Sequence, residues 1–111
     1  MYDLIIIGGG PAGLTAALYS GRSRLKTLLL EKTGLGGQII LSATIENYPG
    51  FAGGVATADL ILAMQKQVEE LEVEIKADEA VKIDPQPGYF KVTAQEAEYQ
   101  AKAIIISTGA C

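Results

Sequence analysis

Apolar and polar positions follow two different periods along this chain. The run Leu4-Ile5-Ile6-Ile7 is continuous, as in a strand buried on both faces, and it ends in a cluster of glycines. Beyond the glycines, Leu14, Ala17 and Leu18 recur at helical spacing, and Ala12 and Ala16 are small enough for close contact with a sheet. The pattern predicts a small-residue helix from Leu14 to Ser20, entered through Pro11 at its first position, where proline loses no hydrogen bond. Gly21 is expected to end or weaken it, with Arg22, Arg24 and Lys26 complementing its negative end as solvated surface. A second apolar run, Thr27-Leu28-Leu29-Leu30, predicts a strand that stops on Glu31. Thr57 is a good helix cap, and Leu60, Met64, Val68 and Leu71 mark one face of a helix running to about Leu71 or Glu72. Val73 to Lys76 reads as a third parallel strand.

Residues 79 to 102 change character. Ala80-Val81-Lys82-Ile83, Tyr89-Phe90-Lys91-Val92-Thr93 and Glu98-Tyr99-Gln100-Ala101 alternate as half-buried strands, separated by turns at Pro85-Gln86-Pro87-Gly88 and Ala94-Gln95-Glu96-Ala97. This predicts an antiparallel meander inserted between parallel elements. Ala103-Ile104-Ile105-Ile106 then reads as a buried parallel strand, with Ser107-Thr108-Gly109-Ala110 as a turn at its carboxyl end. The expected class is therefore α/β, a parallel sheet with helices plus the meander. There are no internal repeats and no low-complexity tracts.

The glycine cluster carries the first chemistry. Gly8-Gly9-Gly10-Pro11-Ala12-Gly13 is a G-x-G-x-x-G turn placed between a strand and a helix, with an acid at the tip of the next strand. That context is the dinucleotide-binding fingerprint. Gly8 permits the tight turn, Gly10 lets the backbone approach a pyrophosphate, and Gly13 lets helix and strand come close. The helix N-terminus offers N–H groups and partial positive charge to phosphates. Glu31 can accept hydrogen bonds from a ribose diol and would repel a 2′-phosphate, so NADP is disfavoured here while NAD and FAD both stay open. Taken alone, Gly34-Leu35-Gly36-Gly37-Gln38 reads as a surface turn, and Asn47 in Glu46-Asn47-Tyr48-Pro49-Gly50-Phe51 as a residue bonding its own turn.

Composition narrows the classes. The 111 residues make one domain at most, 49% apolar and 20% charged, with no apolar run long enough to span a membrane. The first strand starts too early to leave room for a signal peptide. A net charge of −4 without a basic cluster argues against nucleic acid or an anionic membrane as partner. Histidine is absent, which excludes histidine catalysis and histidine metal ligation within these residues. The single cysteine, Cys111, allows no intrachain disulfide and no C-x-x-C pair, as suits a reducing cytoplasm, and it is read as incidental.

Together Ile6-Ile7-Gly8-Gly9-Gly10-Pro11-Ala12-Gly13, Gly36-Gly37-Gln38, Glu46-Asn47-Tyr48-Pro49-Gly50 and Ser107-Thr108-Gly109-Ala110 resemble the amino-terminal FAD-binding segment of bacterial-type thioredoxin reductases, over essentially the whole chain. The resemblance implies a Rossmann-like FAD-binding domain. In it Gly8, Gly10, Pro11, Ala12 and Gly13 would cradle the pyrophosphate, and Glu31, with Lys32, would serve the adenosine ribose. Gly36, Gly37 and Gln38 would line the ribityl and flavin side, and Asn47 would approach the isoalloxazine ring. Ala80 or Val81 would contact adenine through the backbone, and Thr108 and Gly109 would lie near the cofactor at the sheet edge.

Members of the family continue into an inserted NADPH domain with a C-x-x-C pair, and then into a second FAD segment. Neither is present in residues 1–111. The expectation is thus a partial FAD-binding domain, incomplete relative to the family. The parent would be an NADPH-dependent enzyme that reduces a thioredoxin-like protein, as a cytoplasmic homodimer. This stretch carries no catalytic residue and is not expected to turn over alone. The alternatives are the front half of another flavoprotein reductase, of the ferredoxin–NADP reductase or alkyl hydroperoxide reductase type, a non-enzymatic FAD-binding module, or an NAD-binding domain.

Overall fold

The structure is a computed structural model that describes residues 1–32, 44–45 and 55–108. Strand β1 (Tyr2–Ile7) leads through the glycine turn into helix α1 (Pro11–Arg22), and β2 (Thr27–Glu31) follows. A two-residue antiparallel pair, β3 (Thr44–Ile45) with β4 (Val55–Ala56), precedes helix α2 (Thr57–Glu69). The chain then runs through β5 (Glu74–Ala77), β6 (Ala80–Gln86), β7 (Tyr89–Ala94) and β8 (Glu98–Ile106).

One six-stranded sheet holds the molecule together, in the order β5-β2-β1-β8-β7-β6. The first four strands are mutually parallel, β7 runs against β8, and β6 runs against β7. Leu4, Ile6 and Leu29 face one side, where Leu14 and Ala17 of α1 and Val68 of α2 bury them. The alternate positions Ile5, Ile7, Leu28 and Leu30 are buried on the opposite side, against Val92, Ala101 and Ile83 of the antiparallel strands. A flat sheet would keep β5 and β8 three strands apart, yet Lys76 of β5 sits 5.3 Å from the ring centre of Tyr99 in β8. The sheet therefore curls, and the meander folds back over the face that the helices leave open. That gives three layers: helices, parallel strands, meander.

Several expectations need correcting. The meander and the last parallel strand are not separate elements, because β8 runs unbroken from Glu98 to Ile106. It pairs antiparallel with β7 up to Ala101 and parallel with β1 from Ala101 onward, so it changes partner without changing course. Its end is not buried: Ile105 is 39% and Ile106 66% exposed, since β1 flanks it on one edge and no other described strand pairs with it past Ala101. Helix α1 is longer than Leu14 to Ser20, and Gly21 lies inside it. A Cβ on Gly21 would stand 2.9 Å from Leu71 Cβ and 3.0 Å from Val73 Cγ2, so this glycine serves close packing rather than termination. Arg24, with φ +61°, makes the left-handed exit instead.

Helix α2 begins at Thr57, which makes the expected cap its first residue, and it ends at Glu69, short of Leu71. Strand β5 lies one residue later than expected, and β6 continues through Pro85 and Gln86, leaving Gly88 (φ +82°) to make the turn.

Candidate functional site

Parallel strands bring their carboxyl ends to one edge, and the connections that leave them meet there. Here β1, β2, β5 and β8 deliver Gly8, Lys32, Asp78 and Ser107 to the same edge. Between them opens a cleft of about 200 Å³, lined by Ile7, Gly8, Leu30, Glu31, Lys32, Asp78, Glu79, Ala80 and Thr108.

The glycine turn is held from three directions. Gly8 donates its N–H to Leu30 C=O at 2.8 Å, tying the turn to β2. Ser107 donates its backbone N–H to Ile7 C=O at 2.8 Å, and its hydroxyl lies 3.1 Å from Ile7 O and 3.0 Å from Gly8 O, tying the turn to the end of β8. Gly9 donates its N–H to Glu31 Oε2 at 2.5 Å. Gly8 itself has φ +109°, and a Cβ there would stand 2.3 Å from Ser107 O. At Gly13 a Cβ would stand 1.9 Å from Gly8 O. Both glycines are required by close backbone approach. Helix α1 then starts with Gly10 as its cap and Pro11 at its first turn, and Leu14 N–H reaches Gly10 C=O at 2.9 Å. The bare backbone of the turn and the helix N-terminus suit an anionic group.

Glu31 is buried, and Lys32 N–H donates to its Oε1 at 2.8 Å. Its carboxylate thus organises the turn as well as facing the cleft. A carboxylate has about four acceptor positions, so binding turn amides is compatible with accepting from a diol. Lys32 and Glu79 form an ion pair of 3.9 Å at the rim.

Of the residues singled out from sequence, Gly8, Glu31, Lys32 and Thr108 line the cleft, and Gly10, Pro11, Ala12 and Gly13 form the turn and helix start beside it. Val81 does not line the cleft and is 58% exposed, whereas its neighbour Ala80 does. Gly36, Gly37, Gln38, Asn47 and Gly109 lie outside the described residues. Three residues have roles that the sequence alone does not assign. Asp78 and Glu79 line the cleft directly after β5, and Ser107, legible only as part of a turn motif, staples the glycine turn. Their common signal is position: each is the first or second polar residue past a parallel strand.

Asp78 is 6% exposed, and Tyr99 O–H and Glu96 N–H donate to its two carboxylate oxygens at 3.1 and 3.0 Å. Burial, and then this bond to Asp78, hold the Tyr99 phenol above its ordinary value. No group of side chains that could hold a metal ion occurs among the described residues, and no helix among them is long and apolar enough to cross a membrane.

A glycine turn, a helix N-terminus and an acid on one cleft at the carboxyl ends of parallel strands define a dinucleotide-binding α/β protein. The chain belongs to the pyridine nucleotide-disulphide oxidoreductase family, whose profile matches residues 2–111. It is 44% identical over 110 residues to the thioredoxin reductase of Peptoclostridium litorale, a match covering 99% of this chain and 35% of that protein. The thioredoxin reductase of Listeria monocytogenes is 42% identical over 110 residues, covering 99% and 34%. Among solved structures, Lactococcus lactis thioredoxin reductase (FR conformation) superposes with a TM-score of 0.95 at 43% identity, over 100% of this chain and 36% of that one. The chain thus spans about a third of the length of the curated relatives it matches. The family implies a flavin cofactor.

Proposed function

We propose that this chain binds the ADP end of FAD, as the first part of the FAD domain of an NADPH-dependent thioredoxin-disulfide reductase. The observation that carries the reading is the hydrogen bond from Gly9 N–H to Glu31, which joins the phosphate-binding turn and the ribose-binding acid at one cleft wall. Gly8, Gly10 and the start of α1 would receive the pyrophosphate, and Glu31 with Lys32 would receive the adenosine ribose. Thr108, Glu79 and Ala80 would close around the adenosine. Gly36, Gly37, Gln38, Asn47 and Gly109 are assigned to the flavin side by family resemblance.

What the flavin supplies when bound is electron transfer between a reduced nicotinamide and a disulfide. The residues of this chain bind and orient; none of those described is assigned as acid, base or nucleophile. The relatives reported above carry the name thioredoxin reductase, which supports a thioredoxin-like protein as acceptor in the whole enzyme, a cytoplasmic homodimer in this reading.

Calorimetric titration of the flavin-free chain tests the assignment. FAD should bind once per chain and far more tightly than FMN, which lacks the adenosine end, and NADP should not compete because its 2′-phosphate meets Glu31. Equal affinity for FMN and FAD, or preference for NADP, would overturn it.

A further inference from the structure

Asp78 is the most buried carboxylate among the described residues, at 6% exposed, and the glycine turn and ribose acid already account for the phosphate and sugar ends of the cleft without it. Its bonds run in three directions. Its N–H donates to Glu31 C=O at 3.2 Å, its Oδ1 accepts from Glu96 N–H at 3.0 Å, and its Oδ2 accepts from Tyr99 O–H at 3.1 Å. Glu31 ends β2, Glu96 lies in the turn between β7 and β8, and Tyr99 belongs to β8.

The residues on either side of this junction reinforce it. Gln95 N–H donates to Glu79 C=O at 3.0 Å, and Gln95 Nε2 donates to Glu79 Oε1 at 3.0 Å. Ala80 pairs with Ala94 at the end of the β6–β7 ladder. Segment 78–80, one wall of the cleft, is therefore fastened to the far turn of the meander, and the carboxylate of Asp78 is the buried fastener.

A buried carboxylate is a costly way to add stability, because its desolvation must be offset by the bonds it makes. What it provides that an apolar side chain cannot is two directed acceptors, which fix the wall in position and orientation as well as in place. We propose that Asp78 is a positioning residue for the adenosine end of the cleft: held by Tyr99 and Glu96, it sets the 78–80 wall against which the adenosine of the ligand lies. The proposal rests on the functional reading above, which assigns the adenosine to this cleft. It makes the meander a determinant of ligand affinity rather than only a cover for the sheet.

The test is calorimetric titration of the chain with ADP, alongside urea unfolding, for D78A, D78N, Y99F and the control V92A. Val92 is fully buried in the same meander core but does not line the cleft. Affinity measured below the unfolding transition reports site geometry, not global stability. D78A should weaken ADP binding by about tenfold or more. D78N should restore most of it, because its amide oxygen can accept from Glu96 N–H while its NH₂ donates to the Tyr99 hydroxyl oxygen. Y99F, which removes one of the two anchors, should fall between wild type and D78A, and V92A should lose stability while keeping its ADP affinity.

Wild-type ADP affinity in D78A or in Y99F would overturn the proposal, as would D78N binding as poorly as D78A, or V92A weakening ADP as much as D78A does. If D78A does not fold, the comparison of Y99F with V92A decides by the same criteria. Failure of the wild-type chain to bind either ADP or FAD is a different result, and it would refute the functional reading itself.

Discussion

Two glycines in one helix should respond in different ways to the same substitution. In a helix interior, Gly→Ala ordinarily stabilises by about 1 kcal/mol through lower backbone entropy in the unfolded chain. At Gly21 the new methyl group would meet Val73 Cγ2 at 3.0 Å, which the side chain can relieve, and Leu71 Cβ at 2.9 Å, which moves only with its backbone, so the α2–β5 connection has to shift slightly. Overpacking of that kind costs about 1–3 kcal/mol, so after the helix gain G21A should lose about 0–2 kcal/mol. At Gly13 the methyl group would stand 1.9 Å from Gly8 O and 2.9 Å from Ser107 Oγ. The first of these is backbone, and Ser107 Oγ holds that same carbonyl at 3.0 Å. Relief requires helix α1 to move off the turn, so G13A should cost about 3 kcal/mol or more, at or beyond the top of the overpacking range. That is a large share of the roughly 5–15 kcal/mol that keeps a domain folded.

Urea unfolding with both variants measures the difference, and the transition midpoint should fall much further for G13A. Titration with ADP should separate them again. Gly13 sits at the turn, whereas Gly21 is about 12 Å further along the helix, so G21A should keep its affinity and G13A should lose it. G13A as stable as wild type, or G21A the more damaged of the two, would contradict the close approach of α1 to the turn at Gly13.

Three further outcomes follow from single contacts. Ser107→Ala removes the hydroxyl shared by Ile7 and Gly8 carbonyls and should cost about 0.5–1.5 kcal/mol in urea unfolding, with weaker FAD binding because the turn loosens. Ile106→Glu should change stability by no more than about 0.5 kcal/mol, since the side chain is 66% exposed, and an equivalent change at fully buried Ile6 should prevent folding. Tyr2 is pushed up to about 12, by burial first and then by its hydrogen bond to Glu74, at 2.8 Å. Its proton is bound more tightly in the folded chain, so the contribution is complete below about pH 10, the unfolded value, and is lost as pH rises toward 12. Stability against pH should therefore fall less steeply over that window in Tyr2→Phe, and an identical alkaline limb in the variant would contradict the assignment.

Local sequence was most informative where one period governed one element. The continuous apolar runs of β1 and β2 and the helical spacing of Leu60, Met64 and Val68 each record a face buried by its own repeat. The glycine turn and Glu31 were legible for the same reason, since their spacing alone brings them together. The unity of β8 was not legible: alternation from Glu98 to Ala101 gives way to an apolar run, which looks like two strands but is one strand changing neighbours. The exposure of Ile105 and Ile106 was hidden too, because burial depends on what flanks a strand rather than on its own residues. Gly9 and Glu31 are 22 residues apart but are joined by a recurring strand–glycine turn–helix–strand unit whose spacing is fixed. Asp78 and Tyr99, 21 residues apart, and Ser107 and Ile7, 100 apart, meet only because the meander folds back and β8 returns beside β1, and no recurring spacing records those contacts.

The claim that the glycine turn, Glu31 and the 78–80 wall form one ligand site is tested most directly by following backbone amide resonances while FAD is added to the flavin-free chain. The amides of Gly8, Gly9, Gly10, Ala12 and Gly13, of Lys32, and of Glu79 to Val81 should shift together with a single saturation curve, and those at the Gly88 hairpin tip should stay where they are. Shifts confined to the groove between Arg22, Arg24, Glu70 and Glu72, or none at the glycine turn, would contradict it.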